Sequence, residues 1–160
     1  MLPELNSKIW GLHPKKLLTI AGRTSNCKSA FALQTAYDVA TQNIPTLFVS
    51  LEMYEEDVIE RLFCMAEKVD NGKLLRGHFM NYRMQWDKFR DRMSKTPLVI
   101  TDMLGKSWED IDTYLNKLTQ KPKVIIIDHL QEARGAGTKD QKEIIDEYLK
   151  KLRTMAIRDD

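Results

Sequence analysis

Short runs of apolar residues alternate along the chain with longer stretches in which apolar residues recur at helical spacing. Four runs have the length and β-branched content of buried strands, and they predict strands at 17–21, 46–50, 98–101 and 124–128. The periodic stretches predict helices at 28–43, 55–68, 81–94, from an N-cap at Ser107 onwards, and at 141–156. Strands and helices in this order predict an α/β fold, a mainly parallel sheet with helices on both faces.

Turn-forming residues divide the chain further. Residues 1–16 contain Pro3, Gly11 and Pro14 and have little periodicity, so we interpret them as an entry segment whose Trp10 and Leu12 cover an edge of the core. Residues 17–160 are interpreted as one domain, with a flexible loop at 135–138.

Composition narrows the functional classes. Hydrophobic residues make up 42% and charged residues 30% of the 160 positions, as in an ordinary globular protein. A net charge of +2 is too small to indicate nucleic-acid binding by itself. Two cysteines and no membrane-length apolar run indicate a reducing, cytoplasmic setting without a membrane partner. Three histidines without ligand spacing argue against a zinc site.

The turn between the first predicted strand and the first predicted helix carries the strongest chemical signal. Gly22, Lys28 and Ser29 occupy three of the four fixed positions of the phosphate-loop pattern G-x-x-x-x-G-K-[ST], and Cys27 replaces the second glycine. Backbone N–H groups at a helix N-terminus favour anions there. The candidate nucleotide-binding residues are Gly22, Arg23, Thr24, Ser25, Asn26, Cys27, Lys28 and Ser29. A polar turn without a ligand remains the alternative.

Two carboxylates follow predicted strands at the edge where α/β sheets bind ligands. Asp128 ends the most hydrophobic run, the form of an acid that holds Mg²⁺, although it could also cap the next segment. Glu52 follows the second strand and is the candidate group for orienting a water, although it could also be one of the acids that begin the next helix.

These residues and their surroundings resemble the ATPase domain of DnaB-type replicative helicases, which has the RecA-like P-loop fold. The matching stretches are 11–14, 20–33, 48–53, 61–62, 75–77, Trp86, 126–131 and 149–152. The tetrapeptide Ser50-Leu51-Glu52-Met53 is the most specific of them. The likeness extends over nearly the whole chain.

The resemblance implies a role for each candidate. Lys28 and Ser29 would bind ATP with Mg²⁺, Glu52 would be the catalytic carboxylate together with Lys28, and Asp128 would be the Walker B acid. Gln131 lies in the segment that such helicases use after that strand. The family implies a homohexameric ring that hydrolyses ATP between subunits and unwinds DNA 5′ to 3′ with single-stranded DNA as partner.

The chain departs from the family at several points. Cys27 replaces a glycine, Lys15-Lys16 replaces a glycine-containing turn, and His129 stands where tyrosine is common. Cys27 could merely weaken nucleotide affinity, or it could be a reactive thiol at a helix N-terminus. In the family a further strand follows the last helix and inserts between the Walker B strand and the phosphate-loop strand. The present sequence ends at Asp160, directly after that helix. We therefore expect 17–160 to be a partial domain that cannot unwind DNA alone, or a non-hydrolysing P-loop module that regulates or binds a helicase ring.

Overall fold

A computed structural model describes residues 7–23, 25–132 and 140–158. Its centre is a sheet of three parallel strands, β1 (Thr46–Ser50), β2 (Leu98–Asp102) and β3 (Val124–Asp128), in the order β2-β1-β3. The strands are in register, so that Ser50 pairs with both Asp102 and Asp128. All three strands therefore end at one edge of the sheet, and the predictions at 46–50, 98–101 and 124–128 are confirmed.

The helices lie close to their predicted positions. They are α1 (Lys28–Ala40), α2 (Glu55–Glu67), α3 (Asn71–Leu75), α4 (Arg83–Met93), α5 (Trp108–Lys117) and α6 (Gln141–Arg158), with 3₁₀ turns at His78–Tyr82 and Leu130–Glu132. Ser107 is the N-cap of α5, as expected, and forms a capping box with Asp110. None of the helices described is long and apolar enough to cross a membrane.

The sheet separates two cores because successive residues of β1 point to opposite faces. Leu47 and Val49 pack against α5 and α6 through Ile111 and Tyr148. Phe48 points to the other face, where it joins a core built from α1, α2 and α4. Helices thus cover both faces, which confirms the predicted α/β architecture.

The prediction of a buried strand at 17–21 was wrong. This segment lies outside the sheet, and Leu17, Leu18 and Ile20 remain 41%, 43% and 45% exposed. Apolar composition is not sufficient for a strand, because each backbone N–H and C=O must find a partner on a neighbouring strand. The described residues provide no such neighbour beside this segment.

The entry segment also differs from expectation. Trp10 is 83% exposed and Leu12 is 38% exposed, so neither covers the core. They precede the segment 17–21, which lies outside the sheet and therefore provides no edge strand for them to cover. The predicted loop at 135–138 lies outside the described residues.

Candidate nucleotide-binding site

Helix α1 brings the loop 22–29 to the carboxyl edge of the sheet. Leu33 and Ala36 of α1 share a core with Phe48 of β1 and with Ile126 of β3. Five residues, 41–45, join the end of α1 to the start of β1. A helix of 13 residues is about 20 Å long and a strand of five residues is about 16 Å, so an antiparallel α1 spans the sheet. Its N-terminus therefore lies at the edge where β1 and β3 end.

The loop folds around the side chain of Lys28. Its Nζ donates a hydrogen bond to the backbone oxygen of Arg23 at 3.0 Å. The lysine stem runs along Gly22, where an added Cβ would lie 3.6 Å from Lys28 Cγ and Cδ. The Asn26 N–H donates to the same Arg23 oxygen at 3.3 Å, which closes a turn. Thr24 lies outside the described residues.

Cys27 adopts the left-handed conformation that the pattern reserves for glycine. Its φ and ψ are 54° and 26°, and the nearby Ser25 also has a positive φ of 66°. The Cys27 carbonyl accepts the first helical hydrogen bond from the Phe31 N–H at 2.9 Å. The thiol is free and exposed. Cys27 thus holds a left-handed conformation at the steric cost of its Cβ.

The first turn of α1 has the character of an anion site. Cys27 is the N-cap but makes no side-chain capping hydrogen bond, and the first turn contains no acidic residue. The N–H groups of a first helical turn have no partner within the helix, and the helix dipole adds partial positive charge there. Lys28 adds a full charge, and Ser29 places a hydroxyl in the same turn.

Asp128 ends β3 as a buried carboxylate. It is only 7% exposed, and the described residues supply no hydrogen bond or ion pair to its carboxyl group. A carboxylate at the end of a strand can offer oxygen ligands to a hard cation such as Mg²⁺. Among the described residues no three His, Cys, Asp or Glu side chains cluster as a metal site.

Glu52 lies at the same edge but is exposed, and its partner is His129. The Glu52 Oε2 lies 3.0 Å from the Nδ1 of His129, with the two side chains 51% and 23% exposed. The Leu51 N–H donates to the Asp128 carbonyl at 2.7 Å, which extends the pairing of β1 and β3 beyond their ends. The peptide between Asp128 and His129 is cis. Sequence reasoning noted His129 only as a departure, because nothing local signals a contact between two residues so far apart in the chain.

Gln131 is placed differently from the other candidates. It lies in the 3₁₀ turn Leu130–Glu132 with an exposed side chain. Its backbone oxygen accepts a hydrogen bond from the Gln141 Nε2 at 2.6 Å, which joins this turn to α6. Within the part of the chain that the structure describes, the hydrogen bond to Gln131 is therefore made to its backbone and not to its side chain.

Asp102 is a residue at this edge that sequence reasoning missed. It is the last residue of β2, and its Oδ2 accepts a hydrogen bond from the Glu55 N–H at 3.0 Å. Burial raises the pKa of the Glu55 carboxyl, and the negative charges of Asp102 and Glu56 raise it further. The available signal was an acid that ends an apolar run, as in β3.

Comparison with known proteins identifies the family of this chain. The profile of the DnaB-like helicase C terminal domain matches residues 1–158. The chain belongs to the DnaB-like helicase C-terminal domain family. It is 29% identical over 147 residues to the replicative DNA helicase DnaB of Synechocystis sp., covering 88% of this chain and 17% of the relative.

Two solved structures agree with this assignment. A DnaB-like replicative helicase, described with its interactions with primase, superposes with a TM-score of 0.78 at 26% identity, over 96% of this chain and 39% of the other. A second solved structure, described as an ATPase domain, superposes with a TM-score of 0.68 at 26% identity, over 84% and 50% of the two chains. The chain thus spans half or less of the length of each of these proteins, and it shares the RecA-like fold of their ATPase domains.

Proposed function

We propose that this chain is the nucleotide-binding part of a replicative DNA helicase and that it binds and hydrolyses ATP. The observation that carries the proposal is the arrangement at the carboxyl edge of the sheet. There, the Lys28 loop begins a helix packed on β1 and β3, and the buried Asp128 ends β3 without a partner among the described residues. Glu52 follows β1 at the same edge.

The residues of the loop suit a triphosphate. Gly22, Ser25, Asn26 and Cys27 would approach the phosphates with their backbone, together with Arg23 and Thr24. Lys28 would exchange its hydrogen bond to the Arg23 carbonyl for a charge-assisted one to phosphate oxygen, which is the stronger interaction.

The remaining candidates suit Mg²⁺ and the attacking water. Ser29 would offer its hydroxyl and Asp128 its carboxylate to Mg²⁺, which prefers oxygen ligands and retains waters. When bound with the nucleotide, Mg²⁺ supplies positive charge to the phosphate oxygens. Glu52 would accept a hydrogen bond from the attacking water and orient it in line with the bond to be broken. Gln131 lies in the segment after Asp128 that such helicases use, and it remains a candidate site residue.

The activity of the complete protein is a further part of the proposal. Relatives such as the Synechocystis protein are named replicative DNA helicases. By this likeness, we propose a homohexameric ring that binds single-stranded DNA and unwinds duplex DNA 5′ to 3′. One solved relative is described in its interactions with primase, which makes primase a candidate partner.

Two observations favour a second candidate, a P-loop module that binds nucleotide without hydrolysing it and regulates a helicase ring. Cys27 holds a strained position in the loop, and the segment 17–21 that precedes the loop lies outside the sheet. Both features would disturb the positions of the reacting groups, and hydrolysis depends on those positions more strongly than nucleotide affinity does.

Calorimetric titration with Mg-ATP, combined with a turnover assay, tests the proposal. We expect Lys28→Ala to lower the affinity at least about tenfold, and Glu52→Gln to retain affinity while losing turnover. Cys27→Gly should retain or raise the affinity, which separates a loop defect from loss of the site. Equal affinity of the wild type and Lys28→Ala would contradict the proposal. Binding without turnover, even when mixed with a ring-forming relative, would favour the regulatory module.

Thiol alkylation locates the site independently. The exposed Cys27 should react faster than the buried Cys64, and Mg-ATP should slow the Cys27 reaction. Cys64 serves as the internal control in the same sample. If saturating Mg-ATP leaves the Cys27 rate unchanged, the nucleotide does not bind at this loop.

A further inference from the structure

The contact between His129 and Glu52 joins two side chains that follow different strands. The Nδ1 of His129 lies 3.0 Å from the Glu52 Oε2, within the range of a hydrogen bond. Among the described residues, the other oxygen of this carboxylate has no partner. One oxygen therefore lies at hydrogen-bond distance from the His129 ring, and the other is open to accept a hydrogen bond.

Glu52 needs an external partner to have one orientation. Its side chain is 51% exposed and contains several rotatable bonds, so alone it would distribute over many rotamers. His129 is less exposed, at 23%, and its ring turns about fewer bonds. A group that orients a water must be held close to its productive geometry by neighbours that are themselves fixed.

The backbone on both sides of the contact is anchored to the sheet. Ser50 and Asp128 are paired in register, and the Leu51 N–H donates to the Asp128 carbonyl at 2.7 Å. On the other side of Glu52, the Met53 N–H donates to the Ser50 Oγ at 2.9 Å. The separation between the Glu52 and His129 backbones is thus determined by the pairing of β1 and β3.

We propose that His129 is a positioning residue for Glu52. Its Nδ1–H donates a hydrogen bond to the Glu52 Oε2 and directs the other oxygen to the water that attacks the nucleotide. This inference rests on the proposed function, in which Glu52 orients that water. His129 itself touches neither the nucleotide nor the water, so it contributes to turnover and not to nucleotide affinity.

Two substitutions separate the hydrogen bond from the packing of the ring. His129→Phe keeps a planar ring and removes the donor, whereas His129→Asn keeps an N–H donor near the position of Nδ1. We expect His129→Phe to lower kcat for ATP about tenfold while the affinity for Mg-ATP stays within about twofold of wild type. His129→Asn should recover most of kcat. A His129→Phe variant as fast as wild type, or a His129→Asn variant as slow as His129→Phe, would overturn the proposal.

A measurement on the Glu52 side chain tests the same proposal without turnover. Three-bond NMR couplings across the Glu52 χ1 and χ2 bonds report whether one rotamer predominates. We expect one rotamer in wild type and in His129→Asn, and averaged couplings in His129→Phe. Averaged couplings in the wild type would overturn the positioning role. A wild type that has a fixed Glu52 but neither binds nor hydrolyses Mg-ATP would instead contradict the proposed function.

Discussion

At the scale of single residues, Cys27 shows how one substitution in the loop introduces backbone strain. The phosphate-loop pattern has a glycine at this position, and glycine enters the left-handed region without the steric strain of a Cβ. Cys27 lies in that region, with a φ of 54°, although cysteine carries a Cβ. Cys27 is therefore in a backbone conformation that glycine would adopt without steric strain.

Restoring the glycine should stabilise the chain. A non-glycine residue in the left-handed region costs about 1–2 kcal/mol of steric strain. Glycine avoids that strain but loses more conformational entropy on folding, which costs about 0.5–1 kcal/mol. We expect Cys27→Gly to raise the free energy of unfolding by about 0.5–1 kcal/mol, measured by urea denaturation. The control is Ala30→Gly in the first turn of α1, where the backbone is helical and glycine should lower that free energy by up to about 1 kcal/mol. An equal loss in both variants would show that the left-handed position carries no strain.

The contact between His129 and Glu52 lies beyond what single-sequence reasoning can provide. Each residue was visible as an unusual or functional candidate, but their contact depends on the order β2-β1-β3 and on the register of β1 with β3. Asp102 has the same character, since its role as the acceptor for the Glu55 N–H depends on where α2 begins.

At the scale of elements, α5 and α6 are joined by an ion pair as well as by their shared core. Lys151 Nζ of α6 lies 2.9 Å from the Glu109 Oε1 of α5 and 3.0 Å from the Glu147 Oε1. The hydrogen bond from Lys151 lowers the pKa of the Glu109 carboxyl, and the backbone hydrogen bond adds to this shift. In the core that these helices share, burial raises the pKa of Tyr148 to about 12.

Acid should remove the contribution of Glu109. Its folded pKa lies below the ordinary value of 4.5, so its stabilising effect is present above pH 4.5 and is lost as the pH falls through the lowered pKa. Because Glu109 is 70% exposed, we expect Glu109→Gln to cost only about 0.5 kcal/mol at pH 7. Urea denaturation should show the difference from wild type disappearing as the pH falls below 4.5 and through the lowered pKa of Glu109.

A double variant provides the control for this ion pair. In a Lys151→Met background, Glu109→Gln should have little effect at pH 7, because its partner is already absent. A cost of Glu109→Gln that is the same at neutral and at acid pH, or the same with and without Lys151, would argue against the ion pair as its source.

At the scale of the whole molecule, the runs of apolar residues predicted the sheet where each strand had a neighbour. The runs at 46–50 and 124–128 have the boundaries that the structure gives β1 and β3. The run at 17–21 has a similar composition but forms no strand, because strand formation depends on hydrogen-bonding partners elsewhere in the chain. Composition thus indicates which segments can enter a sheet, and pairing decides which of them do.

Amide hydrogen exchange should distinguish these two kinds of segment in one experiment. The β1 amides lie in the central strand, so we expect strong protection at 46–50. Amides at 17–21 should exchange on the order of a hundredfold or more faster, because they lie outside the sheet. The edge strand β2 is the matched control for strand conformation with one neighbour. Protection of 17–21 equal to that of β1 would place this segment in the sheet.

The position of 17–21 has a mechanical consequence for the loop that follows it. Within the described residues, the loop is attached to the packed body through α1 and not through a strand on its other side. The connection between the loop and the sheet is α1, whose Leu33 and Ala36 share a core with Phe48 and Ile126. We therefore expect a movement of the loop to reach the carboxyl ends of β1 and β3 through α1 and not through a preceding strand.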